Sequence, residues 1–143
     1  MEANDKEIKV VTHHSAPRYQ TSGAACFDIE IDEEYTLKPG ELHNFSTGLH
    51  VETPKGYCIL VFARSSLGQK KCIIPNSVGV IDSDYRGEIF VPIINLSEHA
   101  IDFTEGQRVA QGMIAKAEQV CIRLVSELSE TRRSDGGFGS TGE

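Results

Sequence analysis

Turn-forming residues divide this chain into short segments, and their spacing limits the folds open to it. The clusters Lys38-Pro39-Gly40, Pro54-Lys55-Gly56 and Glu105-Gly106 contain the residues that favour chain reversal. Between such turns apolar residues alternate with polar ones, which is the period-two pattern of a β-strand. Only one or two single helical turns fit the rest. The sequence therefore predicts an all-β sandwich or jelly roll.

The clearest strand is predicted over residues 57–62, a nearly continuous apolar run suited to burial on both faces. Residues 79–90, GVIDSDYRGEIF, predict a β-hairpin whose tip carries Asp82 and Asp84, with a turn glycine at positive φ. An ordinary solvated turn is the alternative for that tip. Further strands are predicted over residues 8–11, 25–31, 42–51, 72–75 and 120–125, and on either side of Glu105-Gly106.

Composition narrows the classes of protein. A length of 143 residues with 39% hydrophobic residues suits one domain, and the net charge of −7 disfavours duplex nucleic acid as a partner. No apolar run reaches membrane-spanning length, and the N-terminus MEANDKEIKVV lacks the pattern of a secretory signal. We expect a cytoplasmic or nuclear protein with no membrane partner. The four cysteines have neither disulfide-framework nor zinc-site spacing.

Two stretches suggest contact with phosphate. Residues 64–71 join Arg64 to Ser65 and Ser66, and a guanidinium with two hydroxyls can hold phosphate oxygens. A short helical turn capped by Ser65 or Ser66 is compatible with that role. From residue 126 the apolar pattern fades, so we predict a β domain over 1–125 and a flexible arm over 126–143. A disordered tail is the alternative for the arm, yet Phe138 stands between glycines, suited to stacking on a flat ring.

Two polar positions carry weaker signals. The pair His13-His14 has no third metal ligand at a telling spacing, so a surface loop is the expectation. On pattern alone, Asp28 faces water from the second face of its strand.

Five stretches in order, AACFDI, ARSSLG, NSVGVIDSDYRGEI, GQRVAQ and RSDGGFGSTG, resemble the motifs of the homotrimeric dUTPase family over about residues 24–142. The resemblance implies a distorted jelly roll of the β-clip type with a C-terminal arm that closes over the active site. It also implies Mg²⁺-dependent hydrolysis of dUTP to dUMP and pyrophosphate, which keeps uracil out of DNA and supplies dUMP for dTTP synthesis. Neighbouring subunits of a homotrimer would share each site.

The resemblance also implies roles for single residues. Asp82 would activate a water for attack on the α-phosphorus, and Asp28 would hold the metal through water. Tyr85 would pack beneath the deoxyribose and exclude a 2′-hydroxyl. The remaining substrate contacts would come from Arg64, Ser65, Ser66, Asn76, Gly79, Val80, Ile81, Phe90, Gln111, Arg133, Phe138, Gly139, Ser140 and Thr141.

Four positions depart from the family pattern. Cys26 and Ser134 stand where glycine is usual, Ala63 where proline is common, and Gly112 where a larger apolar residue is common. Two other functions share the fold: a dCTP deaminase, which needs an added acid/base Glu, and a non-catalytic regulatory protein. The DYRG tip and the GFGSTG arm favour the dUTPase function.

Overall fold

Short β-strands dominate the computed structural model, which describes residues 6–142. The first five residues, predicted as part of the β domain, and residue 143, predicted as part of the arm, lie outside the described residues. The elements are β1 (Lys9–Val11), β2 (Phe27–Glu30), β3 (Tyr35–Leu37), β4 (Leu42–Phe45), β5 (His50–Glu52), β6 (Tyr57–Ala63), α1 (Ser65–Gln69), β7 (Cys72–Ile73), β8 (Gly79–Ile81), β9 (Val91–Asn95), β10 (Ile101–Phe103) and β11 (Arg108–Lys116). The predicted all-β jelly-roll class is confirmed.

Glycines at positive φ end several strands where turns were predicted. Gly40, Gly56 and Gly106 have φ values of 75°, 86° and 80°, a region that side chains resist. Gly48, at φ 61°, lies between β4 and β5 and divides the predicted strand 42–51 into two. The turn residues therefore set the lengths of the strands around them.

The largest sheet has four strands in the order β2-β11-β6-β8. At its centre β6 pairs with β11 over seven positions, from Ala63↔Ala110 to Tyr57↔Lys116. The strand predicted over residues 57–62 is thus confirmed, with a neighbour on each side. A three-stranded sheet, β4-β9-β7, and the pairs β1-β5 and β10-β3 complete the described architecture.

Among residues 6–142, the buried apolar side chains form one cluster. Phe45 and Phe103 are almost fully buried, with ring centroids 4.8 Å apart, and burial of such a side chain stabilises the fold by about 1.5–3 kcal/mol. The buried Asn95 is fully bonded: its amide donates to the carbonyls of Leu37 and His99, and its oxygen accepts two bonds from Ser97. This polar group therefore joins β9 to β3 without an unsatisfied atom.

The hairpin predicted over residues 79–90 is wrong. β8 pairs with β6, whereas β9 lies between β4 and β7, so the intervening residues cross from one sheet to the other. The amide of Tyr85 donates to the carbonyl of Asp82 at 3.2 Å and forms the turn. The alternation of apolar and polar residues correctly indicates extended backbone, but it carries no information about which strand is the partner.

The glycine of this crossover also differs from the prediction. Gly87 is absent from the positive-φ residues of the described chain. A Cβ there would lie 2.4 Å from the Tyr85 hydroxyl oxygen. Gly87 therefore makes room for the Tyr85 ring.

The strand predicted over residues 120–125 is absent from the described chain, in which β11 is the last strand and residues 118–135 are all exposed. Val120, Ile122 and Leu124 alternate as in a strand but are 77%, 93% and 98% exposed. A strand needs a neighbour for its backbone hydrogen bonds, and within residues 6–142 this segment has none. Among those residues, no helix has the length and apolar character needed to cross a bilayer.

Candidate functional site

Asp28 lies at the centre of a charged group on the four-stranded sheet. Its side chain is only 11% exposed and is paired with two arginines: Arg64 Nε lies 3.2 Å from Oδ1, and Arg108 Nη1 lies 3.0 Å from Oδ2. The expectation from pattern that Asp28 simply faces water is therefore wrong. Arg108 begins β11 within the GQRVAQ stretch, and its contact with Asp28 was not predicted from the sequence.

Gln111 lies beside Asp28 because β2 and β11 pair at those two residues. Its amide donates to the carbonyl of Ala63 at 3.1 Å, which fixes the side chain over the end of β6. Cys26 is close to the same carboxylate: burial and then the charge of Asp28 raise the pKa of its thiol. Both effects disfavour a thiolate beside the carboxylate.

The chain turns into α1 directly after Arg64, as a short helix was predicted to do. Arg64 itself is the N-cap residue, with extended φ and ψ of −77° and 153° and no side-chain capping bond. The predicted cap by Ser65 or Ser66 is therefore wrong. Both serines are exposed, while Leu67 is buried and anchors the helix. Both hydroxyls are consequently open to solvent, on the residues that follow Arg64.

A second group surrounds a cavity of about 250 Å³ at the end of β8. Of the predicted residues, it brings together Val80, Ile81, Asp82, Tyr85 and Phe90, with Glu88 and Ile89 completing the wall. Asn76 and Gly79 do not line it: Asn76 is exposed and accepts a bond from the Val78 amide, and Gly79 pairs with β6.

Tyr85 is held in place at this cavity although 42% of it is exposed. Its hydroxyl donates to the carbonyl of Glu88 at 2.8 Å, and its ring packs over Gly87. Fixing both the hydroxyl and the ring face leaves this aromatic side chain with little freedom to adapt to a larger ligand.

Glu88 joins the cavity to the loop between β4 and β5. Its carboxylate accepts bonds from the amides of Thr47 and Gly48, at 3.0 and 2.9 Å, and from the hydroxyl of Ser46. Burial raises the pKa of Glu88, but these bonds stabilise the charged form more strongly, so the net pKa is lowered. The charged carboxylate therefore anchors this loop.

One chain does not bring the two groups together. Asp28 is level with Phe62 of β6, whereas Asp82 follows Ile81, which pairs with Ile59. Three strand spacings across the sheet and four residues along it put the backbone positions of Asp28 and Asp82 about 20 Å apart. The Asp28 group and the Asp82 cavity are thus at opposite edges of one sheet.

Residues 126–142, the described part of the predicted arm, meet neither group. Within the arm, Arg133 Nε donates to the carbonyl of Gly136 at 2.9 Å. Phe138 is fully exposed, and Gly139, Ser140 and Thr141 follow it at the surface. Ser134 has a φ of 48°, a left-handed conformation in which glycine carries no strain.

Comparisons with known proteins give one consistent result. A sequence model of the dUTPase family matches residues 12–142. A deoxyuridine 5′-triphosphate nucleotidohydrolase of Nautilia profundicola is 47% identical over 128 residues, covering 89% of this chain and 90% of its own. The protein of the same name from Finegoldia magna is 39% identical, covering 95% and 99%. The structure of Staphylococcus bacteriophage 80alpha dUTPase G164S mutant with dUpNHpp superposes with a TM-score of 0.88 at 24% identity, covering 96% and 99%, and shares the fold.

Proposed function

Because this chain belongs to the dUTPase family, we propose that it hydrolyses dUTP to dUMP and pyrophosphate. The observation that carries the proposal is the cavity lined by the Asp82 carboxylate, the Tyr85 and Phe90 rings and the end of β8. The reaction would keep uracil out of DNA and supply dUMP for dTTP synthesis. The intracellular location expected from the N-terminal sequence stays a prediction.

The cavity suits a pyrimidine deoxynucleoside. Main-chain groups near Val80, Ile81 and Phe90 would read the uracil edge. The uracil contacts predicted for Gly79 and Asn76, which do not line the cavity, stay predictions. Backbone groups that are fixed by strand pairing cannot reverse their donors and acceptors for cytosine, and a stranded polar group costs about 1–3 kcal/mol. The fixed ring of Tyr85 would lie under the deoxyribose and exclude a 2′-hydroxyl, since its own hydroxyl is bonded to Glu88.

Asp82 would act as the general base. Its carboxylate takes a proton from a water whose oxygen forms a bond to the α-phosphorus, while the bond from that phosphorus to the bridging oxygen breaks. Pyrophosphate leaves with the electron pair. Arg64, Ser65 and Ser66 would bind the phosphates, and Gln111 would contact the α-phosphate. Arg133, Phe138, Gly139, Ser140 and Thr141 of the arm would cover the substrate, with Phe138 stacked on uracil.

The donor set around Asp28 fits a divalent cation held through water. Oδ2 of Asp28 accepts a bond from Arg108 and Oδ1 is ion-paired with Arg64, so each oxygen keeps a lone pair for a water. Mg²⁺ retains several waters in protein sites, so we assign Asp28 to the water shell of Mg²⁺ carried by the triphosphate. When bound, the ion would neutralise charge on the leaving pyrophosphate.

The separation of the two groups supports a site shared between subunits. Since about 20 Å of sheet lies between Asp28 and Asp82, the Asp28 group of one chain would face the Asp82 cavity of another. The exposed apolar residues Val120, Ile122 and Leu124 offer a strand-like segment for a neighbouring copy. We propose a homotrimer on this basis. Duplex nucleic acid, disfavoured by the net charge, has no place in the proposal.

The test is pyrophosphate release from dUTP, dCTP, dTTP and UTP side by side, with and without Mg²⁺. We expect release from dUTP alone, dependent on Mg²⁺. Asp82→Asn should lose at least about 10²-fold in kcat, as expected for loss of a general base, while still binding a non-hydrolysable dUTP analogue. Ammonia from dCTP would indicate the deaminase, and nucleotide binding without turnover in the unmodified chain would indicate a regulatory protein. The named relatives favour neither alternative.

A further inference from the structure

His13 and His14 have a third partner that their sequence position does not reveal. Both follow β1, which is tied to the fold by its pairing with β5. Asp32 follows β2, and its amide donates to the carbonyl of Ser46 at 2.8 Å. The Asp32 carboxylate lies between the two imidazoles: Oδ2 is 2.7 Å from His13 Nε2, and Oδ1 bonds His14 Nε2. His13 and His14 lie in a bend after β1, as expected of a loop, and the sequence spacing did not indicate Asp32 because it lies 18 residues beyond His14.

The local backbone makes the two rings converge. The amide of His14 donates to the Thr12 hydroxyl at 3.1 Å, and the bend there turns both rings to the same side, with centroids 4.4 Å apart. Adjacent side chains of an extended strand would point to opposite sides. One atom from each of His13, His14 and Asp32 falls in a set whose members all lie within 4.8 Å of one another.

Gly48 leaves the space in which this group sits. A Cβ at that position would lie 2.7 Å from His13 Cε1 and 3.0 Å from Asp32 Oδ2. Its amide is held by Glu88 at 2.9 Å, and its φ of 61° is one that glycine adopts without strain. Three separate segments, the end of β1, the end of β2 and the loop at Gly48, therefore meet at one point.

We propose that His13, His14 and Asp32 form a binding site for Zn²⁺ or a similar transition-metal ion. None of the three has a role in the proposed catalysis, although His14 lines a cavity of about 440 Å³ together with Asp28 and Arg108. Two imidazole nitrogens and one carboxylate oxygen are ligands that Zn²⁺ takes, whereas Mg²⁺ prefers oxygen alone. Metal–ligand distances of about 2.0–2.1 Å put tetrahedral ligands about 3.4 Å apart. The two Asp32–imidazole contacts would need to open by about an ångström or less.

The position of the three ligands determines how an ion could reach the site and which segments it would join. The His13 side chain is 66% exposed, so an ion can enter and keep a water as its fourth ligand, while His14 and Asp32 are 27% and 16% exposed. The ion would fasten the segment after β1 to the end of β2. It would replace two hydrogen bonds by three coordinate bonds.

The experiment uses the full chain after removal of metals with a chelator. Co²⁺ is added in the presence of excess Mg²⁺, and the visible ligand-field bands are recorded. We expect one Co²⁺ per chain, displaced by Zn²⁺ and unaffected by Mg²⁺, and a rise in the thermal midpoint with Zn²⁺. His13→Asn is the first variant because His13 is the most exposed of the three. It should weaken Co²⁺ binding by about tenfold or more and abolish the Zn²⁺-dependent rise.

The matched control is His43→Asn. His43 also pairs with a carboxylate, since its Nε2 lies 3.1 Å from Glu33 Oε1, but it is not one of the three ligands. Unchanged Co²⁺ affinity in this control, together with loss in His13→Asn and Asp32→Asn, supports the site. No Co²⁺ uptake by the unmodified chain, equal affinity in His13→Asn, or the intense thiolate-to-cobalt charge-transfer band of a cysteine ligand would overturn the proposal.

Discussion

Gly112 is matched to one aromatic neighbour at the scale of single residues. A Cβ on it would lie 2.5 Å from Phe27 Cζ and 3.3 Å from Ile59 Cγ2. The ring of Phe27 thus fills the space that a larger apolar side chain takes in the family pattern. The departure at Gly112 and the aromatic residue across the strand pair compensate each other.

Gly112→Leu should therefore destabilise the fold by about 1–3 kcal/mol, because the Phe27 ring cannot move without disturbing the core. The measurement is urea unfolding of the single variants Gly112→Leu and Phe27→Ala and of the double variant. We expect the double variant to lose less unfolding free energy than the two single variants lose together. Strict additivity would show that the two side chains do not compete for the same space.

Glu88 carries a charge whose loss should be visible in acid. Its pKa is lowered in the folded chain, so its contribution to stability is present above the unfolded-state pKa, about 4.3. That contribution disappears as the pH falls through the lower folded-state pKa. Glu88→Gln should cost about 1–3 kcal/mol at pH 7, since an amide replaces a charged acceptor of three bonds.

The matching measurement is urea unfolding at pH 7 and pH 4. We expect the difference between Glu88→Gln and the unmodified chain to shrink at the lower pH. Asp102→Asn is a suitable control, because its carboxylate bonds an exposed Thr36 hydroxyl and has no part in the loop. Parallel pH dependence of the Glu88 variant and the unmodified chain would contradict the anchoring role.

The elements show which features a sequence can predict. Turns at Gly40, Gly56 and Gly106 were predictable because a glycine turn is decided by neighbours along the chain. Strand 57–62 was predictable because its continuous apolar run indicates burial on both faces. The partner of β8 was not predictable, since strand pairing depends on residues far away in sequence. For the same reason, the sequence did not indicate that Asp32 lies close to His13 and His14.

The site residues also divide into those that the sequence predicts and those whose contacts it does not. The motif residues near Asp82 and Arg64 were named from the sequence, but the ion pair from Arg108 to Asp28 was missed because those residues are 80 positions apart. Residues 120–125 have a genuine strand pattern, yet the described chain offers them no neighbour. An alternating pattern indicates that a segment can form a strand, but the strand forms only where a neighbouring strand is available for pairing.

The arm is an element whose role can be measured separately. Phe138 is fully exposed, so its removal should leave stability unchanged. Because stacking on a base contributes about 1–3 kcal/mol, Phe138→Ala should lower kcat/KM for dUTP by about 5- to 150-fold. Leu96→Ala, a large exposed apolar residue outside the arm, is the control and should have normal kinetics. Normal kinetics for Phe138→Ala would leave the arm as a disordered tail.

At the scale of the whole molecule, a shared site predicts rescue between two inactive variants. Asp82→Asn damages the cavity at the end of β8, whereas Arg64→Ala damages the charged group around Asp28. If sites form between subunits, mixing the two under dissociating conditions and reassembling them should restore about a quarter of full activity, since one site in four combines intact halves.

The control is a mixture of Asp82→Asn with Asp82→Ala, which share the same defective half and should stay inactive after reassembly. The measurement is pyrophosphate release from dUTP, with size-exclusion chromatography to verify that mixed oligomers formed. Failure of the first mixture to recover activity, once mixed oligomers are present, would show that each chain carries its whole site.

The distance between Asp28 and Asp82 in one chain also has a consequence for when the enzyme becomes active. If the site is shared between subunits as proposed, a freshly translated chain carries both carboxylates but has neither one opposite its complement, and it would be inactive until it meets other copies. Output should then rise more steeply than the amount of polypeptide when little is present. Low expression would leave a cell with far less dUTP clearance than the number of chains suggests.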